Sequence, residues 1–118
     1  MKDEISYDEF ARLDLRVGEV VGASLPEWSE KLIRYEVDFG KGDLPAGRQV
    51  GKRVMFSGIR EWYRPEDLVG KKYVFVVNMK PKKMGPEESQ GMMVMADGEK
   101  RPVLIPVPEE VEAGTVVR

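Results

Sequence analysis

Five lysines, Lys71, Lys72, Lys80, Lys82 and Lys83, stand within a stretch from Lys71 to Lys83 that contains no carboxylate. Side chains of this type neutralise phosphates and release their counterions, so the stretch reads as a surface for an anionic polymer. In Asn78-Met79-Lys80-Pro81-Lys82-Lys83-Met84-Gly85-Pro86, two prolines and a glycine stiffen and turn the chain, which would display the lysines together. A solvated lysine-rich turn is the competing reading. Downstream, Ser89 and Gln90 offer a hydroxyl and an amide for phosphate or base edges. Period two puts Met93 and Met95 on one face of a strand and Met92 on the other, so Met92 is the contact candidate and its neighbours belong to the core. Trp62 and Tyr63, between Arg60 and Arg64, suit either base stacking or packing against the barrel rim, and Trp28 is equally open.

Other chemistry is excluded by composition. Without a cysteine or histidine, the chain has no thiolate nucleophile, no Cys/His zinc site, no Ser-His-Asp triad and no imidazole base. No Ser-x-x-Lys pairing or phosphate-binding glycine loop appears, and the adjacent Glu87 and Glu88 would point to opposite faces of an extended segment. The expectation is a binding module, not an enzyme, with no metal and no cofactor. The net charge of -2 conceals an uneven distribution: residues 48–83 hold ten lysines and arginines against three carboxylates, and both flanks are acidic. With 118 residues, 42% of them hydrophobic, one domain over residues 1–118 is expected. No apolar run is long enough to span a membrane, and a soluble, cytoplasmic protein is expected.

The elements that must carry these residues follow from periodicity. Ser6-Tyr7-Asp8-Glu9 reads as a capping box opening a short helix. A first strand runs from Leu13 past Gly18, where the apolar phase breaks at Val20 and Val21 as a bulge requires. From Leu32 to Phe39 the alternation is clean, with Ile33, Tyr35, Val37 and Phe39 inward. Arg53 to Ile59 is a third strand, and Pro65 to Gly70 a short helix bounded by Pro and Gly. Lys72 to Asn78 and Gly91 to Ala96 are the fourth and fifth strands, with short strands at Val103 to Val107 and Thr115 to Val117. Five strands, a short helix before the first and another between the third and fourth give an all-β fold class. It is a five-stranded OB-fold barrel with a C-terminal extension, an SH3-like barrel being the alternative.

Several ordered motifs make the chain resemble the tRNA-binding OB domain of methionyl-tRNA synthetases, found at their C-terminus, as a beta subunit, or as a stand-alone dimeric tRNA-binding protein. They are Asp8-Glu9-Phe10, Leu13-Asp14-Leu15-Arg16-Val17-Gly18, Ser29-Glu30-Lys31-Leu32, Phe56-Ser57-Gly58-Ile59 and Tyr63 to Lys72. The most specific runs from Asn78-Met79-Lys80-Pro81-Lys82-Lys83 to Ser89-Gln90-Gly91-Met92. The resemblance implies structure-specific tRNA binding in support of a synthetase catalytic subunit, and homodimers built from both terminal regions. By position it implies contacts from Asn78, Lys80, Lys83, Ser89 and Met92, with Lys31 as a weaker one; Lys82 joins them on charge alone. Two departures stand out: loop 41–52 is longer than in most members, and Pro86 replaces a common Gly. The family also contains an export-related, peptide-binding chaperone, which is the alternative function.

Overall fold

The computed structural model describes residues 1–40 and 51–118; most of the long loop expected over 41–52 therefore lies outside the described residues. The described chain runs α1 (Tyr7–Phe10), β1 (Leu15–Ser24), β2 (Ile33–Asp38), β3 (Lys52–Ser57), α2 (Pro65–Leu68) and β4 (Lys72–Val76). It continues through β5 (Lys82–Met84), β6 (Glu87–Ser89), β7 (Met92–Met93), β8 (Ala96–Asp97), β9 (Pro102–Val103) and β10 (Val116–Val117). The main sheet is antiparallel in the order β3-β2-β1-β4-β7, with β10 added to the start of β1. This is the five-stranded OB barrel expected from the sequence, nearly closed where β3 meets the segment before β7. No helix among the described residues is long and apolar enough to cross a membrane.

Local rules account for most of the frame. The capping box forms: the Ser6 hydroxyl accepts from the Glu9 N–H at 3.1 Å, and the Glu9 carboxylate accepts from the Ser6 N–H at 3.1 Å. The register of β1 on β2 slips between Val20 and Gly22, so the broken apolar phase is a β-bulge. It lets one long strand bend and serve both sides of the barrel. Ile33, Tyr35, Val37 and Phe39 are all fully buried, as their alternation requires, and they meet Phe75, Tyr73, Met55 and Val77. Leu68 of α2 plugs this core, and Pro65 opens that helix with its missing N–H at no cost.

Two expectations need adjusting. The single fifth strand over Gly91 to Ala96 is two pieces: β7 pairs with β4, whereas β8 leaves to pair with β9. Within the segment Asn78 to Pro86, expected to be stiffened and turned by its prolines and glycine, Lys82–Met84 form a strand that pairs with Glu87–Ser89 as a β-hairpin in its own small sheet. The C-terminal extension is tied to the barrel by Lys72, whose ammonium donates to the Glu109 and Val111 carbonyls at 2.8 Å each. One of the five clustered lysines is thereby engaged within the protein.

Candidate nucleic-acid interface

The basic segment leaves the barrel at the end of β4 and returns at β7, and both of its feet are clamped. Buried Arg53 on β3 donates from Nη1 to the Val77 carbonyl at 2.6 Å and to the Gln90 carbonyl at 3.1 Å. The returning foot also seals the barrel. Gln90 exchanges two bonds with Val54, each 2.9 Å, one through its backbone N–H and one through its side-chain oxygen. The Ser89 hydroxyl accepts from the Phe56 N–H at 3.1 Å and donates to the Gly91 carbonyl at 3.2 Å. Gly91 has φ 149°, and a Cβ there would lie 2.8 Å from the Val76 carbonyl oxygen, so only glycine lets the chain pass this closely.

Between the feet, β5 and β6 pair Lys82 with Ser89, Lys83 with Glu88 and Met84 with Glu87. Gly85 at φ 56° followed by Pro86 fits a type II′ turn, since proline excludes the positive second φ of type I′. The Gly-Pro order that departs from the family pattern therefore supports a tight hairpin. Its tip rests on Trp28: a Cβ on Gly85 would fall 2.5 Å from the indole ring. Trp28 in turn lies 5.6 Å, centroid to centroid, from the ring of Phe56. Arg34 on β2 adds an ion pair to Glu87 at 3.1 Å. Both partners are partly solvated, so the pair contributes only about 0–1 kcal/mol and acts mainly as a tether.

Alternation along β5 sorts the lysines. Lys82 and Met84 line a cleft of about 240 Å³ together with Met79, Lys80 and Met92, over a floor of Phe56, Ser89 and Gly91. Among the described residues no carboxylate lines it. Met92 is 47% exposed and Met93 is buried, as period two requires. Lys83 lies on the opposite face of the hairpin, across from Glu88. Among the anticipated contact residues, the cleft therefore gathers Lys80, Lys82, Ser89 and Met92. Ser89 is 4% exposed and occupied by internal bonds, so it shapes the floor.

The remaining candidates lie elsewhere. Asn78 accepts from the Asp14 N–H at 2.8 Å and donates to the Arg12 carbonyl at 2.7 Å, pinning the α1–β1 junction to the start of the basic loop. It borders a separate depression of about 400 Å³ with Tyr7, Leu13 and Val116. Lys31 borders a third depression beside Arg60 and Trp62, where Glu30 and Glu61 offset its charge. Tyr63 is a packing residue: its hydroxyl donates to the Pro102 carbonyl at 2.8 Å, and it joins the core cluster. Trp62 stays 39% exposed. Sequence reasoning passed over Met79, Met84, Phe56 and Arg53. The two methionines were within reach, because they flank the lysines; Arg53 and Phe56 act through contacts distant in sequence.

Titrating groups near the site add little chemistry. Burial pushes the Tyr35 phenol well above its ordinary range, partly offset by a 2.7 Å hydrogen bond with Ser57. Tyr73 is raised by burial first, then by the charge of Asp67 and by Tyr63. Among the described residues no three carboxylates gather as metal ligands would. The arrangement gathers cations and thioethers around one cleft on a clamped backbone, which is the equipment of binding.

Comparison with known proteins agrees with that geometry. Residues 15–116 match the family described as a putative tRNA binding domain. Methionine–tRNA ligase of Salinibacter ruber is 42% identical over 118 residues, covering 100% of this chain but 15% of that protein. The ligase of Archaeoglobus fulgidus is 40% identical over 116 residues, 98% of this chain and 16% of its own length. The chain thus spans about a sixth of these relatives. Among solved structures, a MetRS-related protein from Pyrococcus horikoshii superposes with a TM-score of 0.87 at 41% identity, covering 99% of this chain and 100% of that one. Chaperone CsaA from Bacillus anthracis gives 0.81 at 30% identity, covering 98% and 100%.

Proposed function

The chain belongs to the putative tRNA binding domain family, and from that premise we propose that it binds folded tRNA in trans for a methionyl-tRNA synthetase. The observation that carries this reading is the cleft lined by Lys80 and Lys82 and, among the described residues, by no carboxylate, on a loop clamped at both ends. Exposed lysines on a clamped backbone span a limited range of separations, and folded RNA presents phosphates already spaced, so it is preferred over a chain that must be ordered on binding. In this reading Lys80 and Lys82 take phosphates, Met92 meets a base or ribose, and Asn78 and Ser89 hold the surface in shape. Lys83 and Lys31 contribute longer-range attraction from neighbouring faces. The module raises local tRNA concentration, and aminoacylation belongs to the partner.

Homodimerisation in the cytoplasm is part of the proposal. The terminal regions leave Tyr7, Leu13 and Val116 exposed around the Asn78 depression, and Ile5 exposed before α1, and burying such side chains favours association. Two copies would present two basic faces to one tRNA. The test is an equilibrium titration with folded tRNA at several salt concentrations, competed by an unstructured RNA of equal length. Steep salt dependence with preference for folded tRNA is expected; equal affinity for both RNAs, or no binding at low salt, contradicts it. Adding the protein to a methionylation assay tests the assisting role, where a lower KM for tRNA is expected and an unchanged KM contradicts it.

The likeness to a chaperone structure favours one second reading, a peptide-binding protein using apolar surface. Under that reading Lys80→Ala and Lys82→Ala leave peptide binding intact.

A further inference from the structure

The cleft contains more than phosphate capture requires. Lysines alone suffice for phosphates, yet the cleft that Lys80 and Lys82 line is also lined by Met79, Met84, Met92 and Phe56. Met79 is 45% exposed and Met92 47%, so the protein keeps two large apolar side chains in water beside its cations. Thioethers are polarisable and make favourable contacts with aromatic rings. At about 240 Å³ the cleft falls below the ~300–1,000 Å³ of pockets for drug-sized ligands, and it suits a single ring system. A base within a duplex is stacked and out of reach, whereas loops and bulges of folded RNA offer splayed bases.

We infer that this cleft is a subsite for one unpaired nucleotide of the bound RNA. The base lies among Met79, Met84 and Met92, and the flanking phosphates sit on Lys80 and Lys82. The inference rests on the reading of this face as an RNA surface, and it adds a base-selective step to electrostatic capture. A peptide is the less suitable occupant, because added strands need open edge groups. The β3 edge beside the cleft already has the Val54 and Phe56 N–H groups bonded to Gln90 and Ser89.

The experiment uses the full chain with ¹³C-methyl methionine, titrated with adenosine monophosphate and separately with ribose 5-phosphate. Stacking places methyls in the ring current of the base, so upfield shifts of Met79 and Met92 with the nucleotide, and none with the sugar phosphate, are expected. Equal shifts with both probes, or none with the nucleotide, overturn the subsite. In parallel, Met92→Ala is expected to weaken tRNA binding at least about fivefold with an unchanged salt slope, as loss of one stacked base should. An unaltered affinity overturns the inference while leaving tRNA binding in place. Absence of tRNA binding by the unmodified protein overturns the functional reading beneath it as well. An unstructured peptide that shifts the same methyls where the nucleotide does not would assign the cleft to peptide and overturn the inference.

Discussion

Lys82 and Lys83 are adjacent in sequence, yet the hairpin register makes them unequal. Lys82 faces the cleft with neutral Ser89 as its cross-strand partner, and Lys83 faces away with Glu88 opposite. Directly opposed residues on a β-ladder have Cβ atoms about 4.5–5.5 Å apart, close enough for the carboxylate to offset the field of Lys83. Each phosphate neutralised contributes about 0.7–0.9 to the slope of log affinity against log salt. Replacing Lys82 by Ala should therefore lower the slope by nearly one phosphate. Between 50 and 200 mM salt, the unmodified protein should lose about threefold more affinity than the variant. Replacing Lys83 by Ala should lower the slope by clearly less, because Glu88 opposite offsets its charge, and Lys100→Ala, on the remote β8–β9 turn, should change neither affinity nor slope. The assay is fluorescence anisotropy with labelled tRNA at four or more salt concentrations. A slope that falls equally for Lys82→Ala and Lys83→Ala, or only for Lys83→Ala, would refute the assignment of faces.

Further outcomes follow from the clamps and the core. Gly85→Ala should destabilise by about 1–2 kcal/mol for the left-handed backbone alone and displace the ring beneath it, Trp28. A lower denaturation midpoint, a shift in tryptophan emission and weaker tRNA binding should appear together; an unchanged midpoint contradicts the packing. Arg53→Met removes the donor to the Val77 and Gln90 carbonyls and should cost about 1–3 kcal/mol. Hydrogen exchange should quicken across residues 78–90 more than in β1, and a uniform increase would deny the clamp. Tyr35 and Tyr73 have raised phenol pKa values, so the folded state favours the neutral form. That stability is intact below the unfolded value near pH 10 and is lost as pH rises above it, because the unfolded chain releases those protons first. The urea midpoint should fall between pH 9 and 11, less steeply in Tyr35→Phe, and an equal fall in both proteins contradicts the assignment.

What the sequence disclosed was local. The capping box at Ser6, the alternation of β2, the bulge near Val21 and the opposed faces of Met92 and Met93 each follow from a period or a cap within a few residues. The hairpin over Lys82 to Ser89 was hidden because its residues alternate charge with charge and are punctuated by Pro81, Gly85 and Pro86. It forms because a Gly-Pro turn is supported from afar by Trp28 and Arg34. For the same reason the lysines were legible as a group but not by face. Ser89 read as a polar group for RNA, whereas its hydroxyl joins the barrel to β3 across more than thirty residues of sequence, and Lys72 read as part of the basic cluster but holds the C-terminal extension. Bonds between distant residues leave no periodic trace.

Lysine footprinting by acetylation and mass spectrometry, with and without folded tRNA at low salt, tests the central claim most directly. Lys80 and Lys82 should be protected strongly, Lys83 and Lys31 weakly, and Lys2 and Lys100 not at all. Protection centred on Lys2, Lys31 or Lys100, with Lys80 and Lys82 as reactive as in the free protein, would contradict the assignment of the cleft face to RNA.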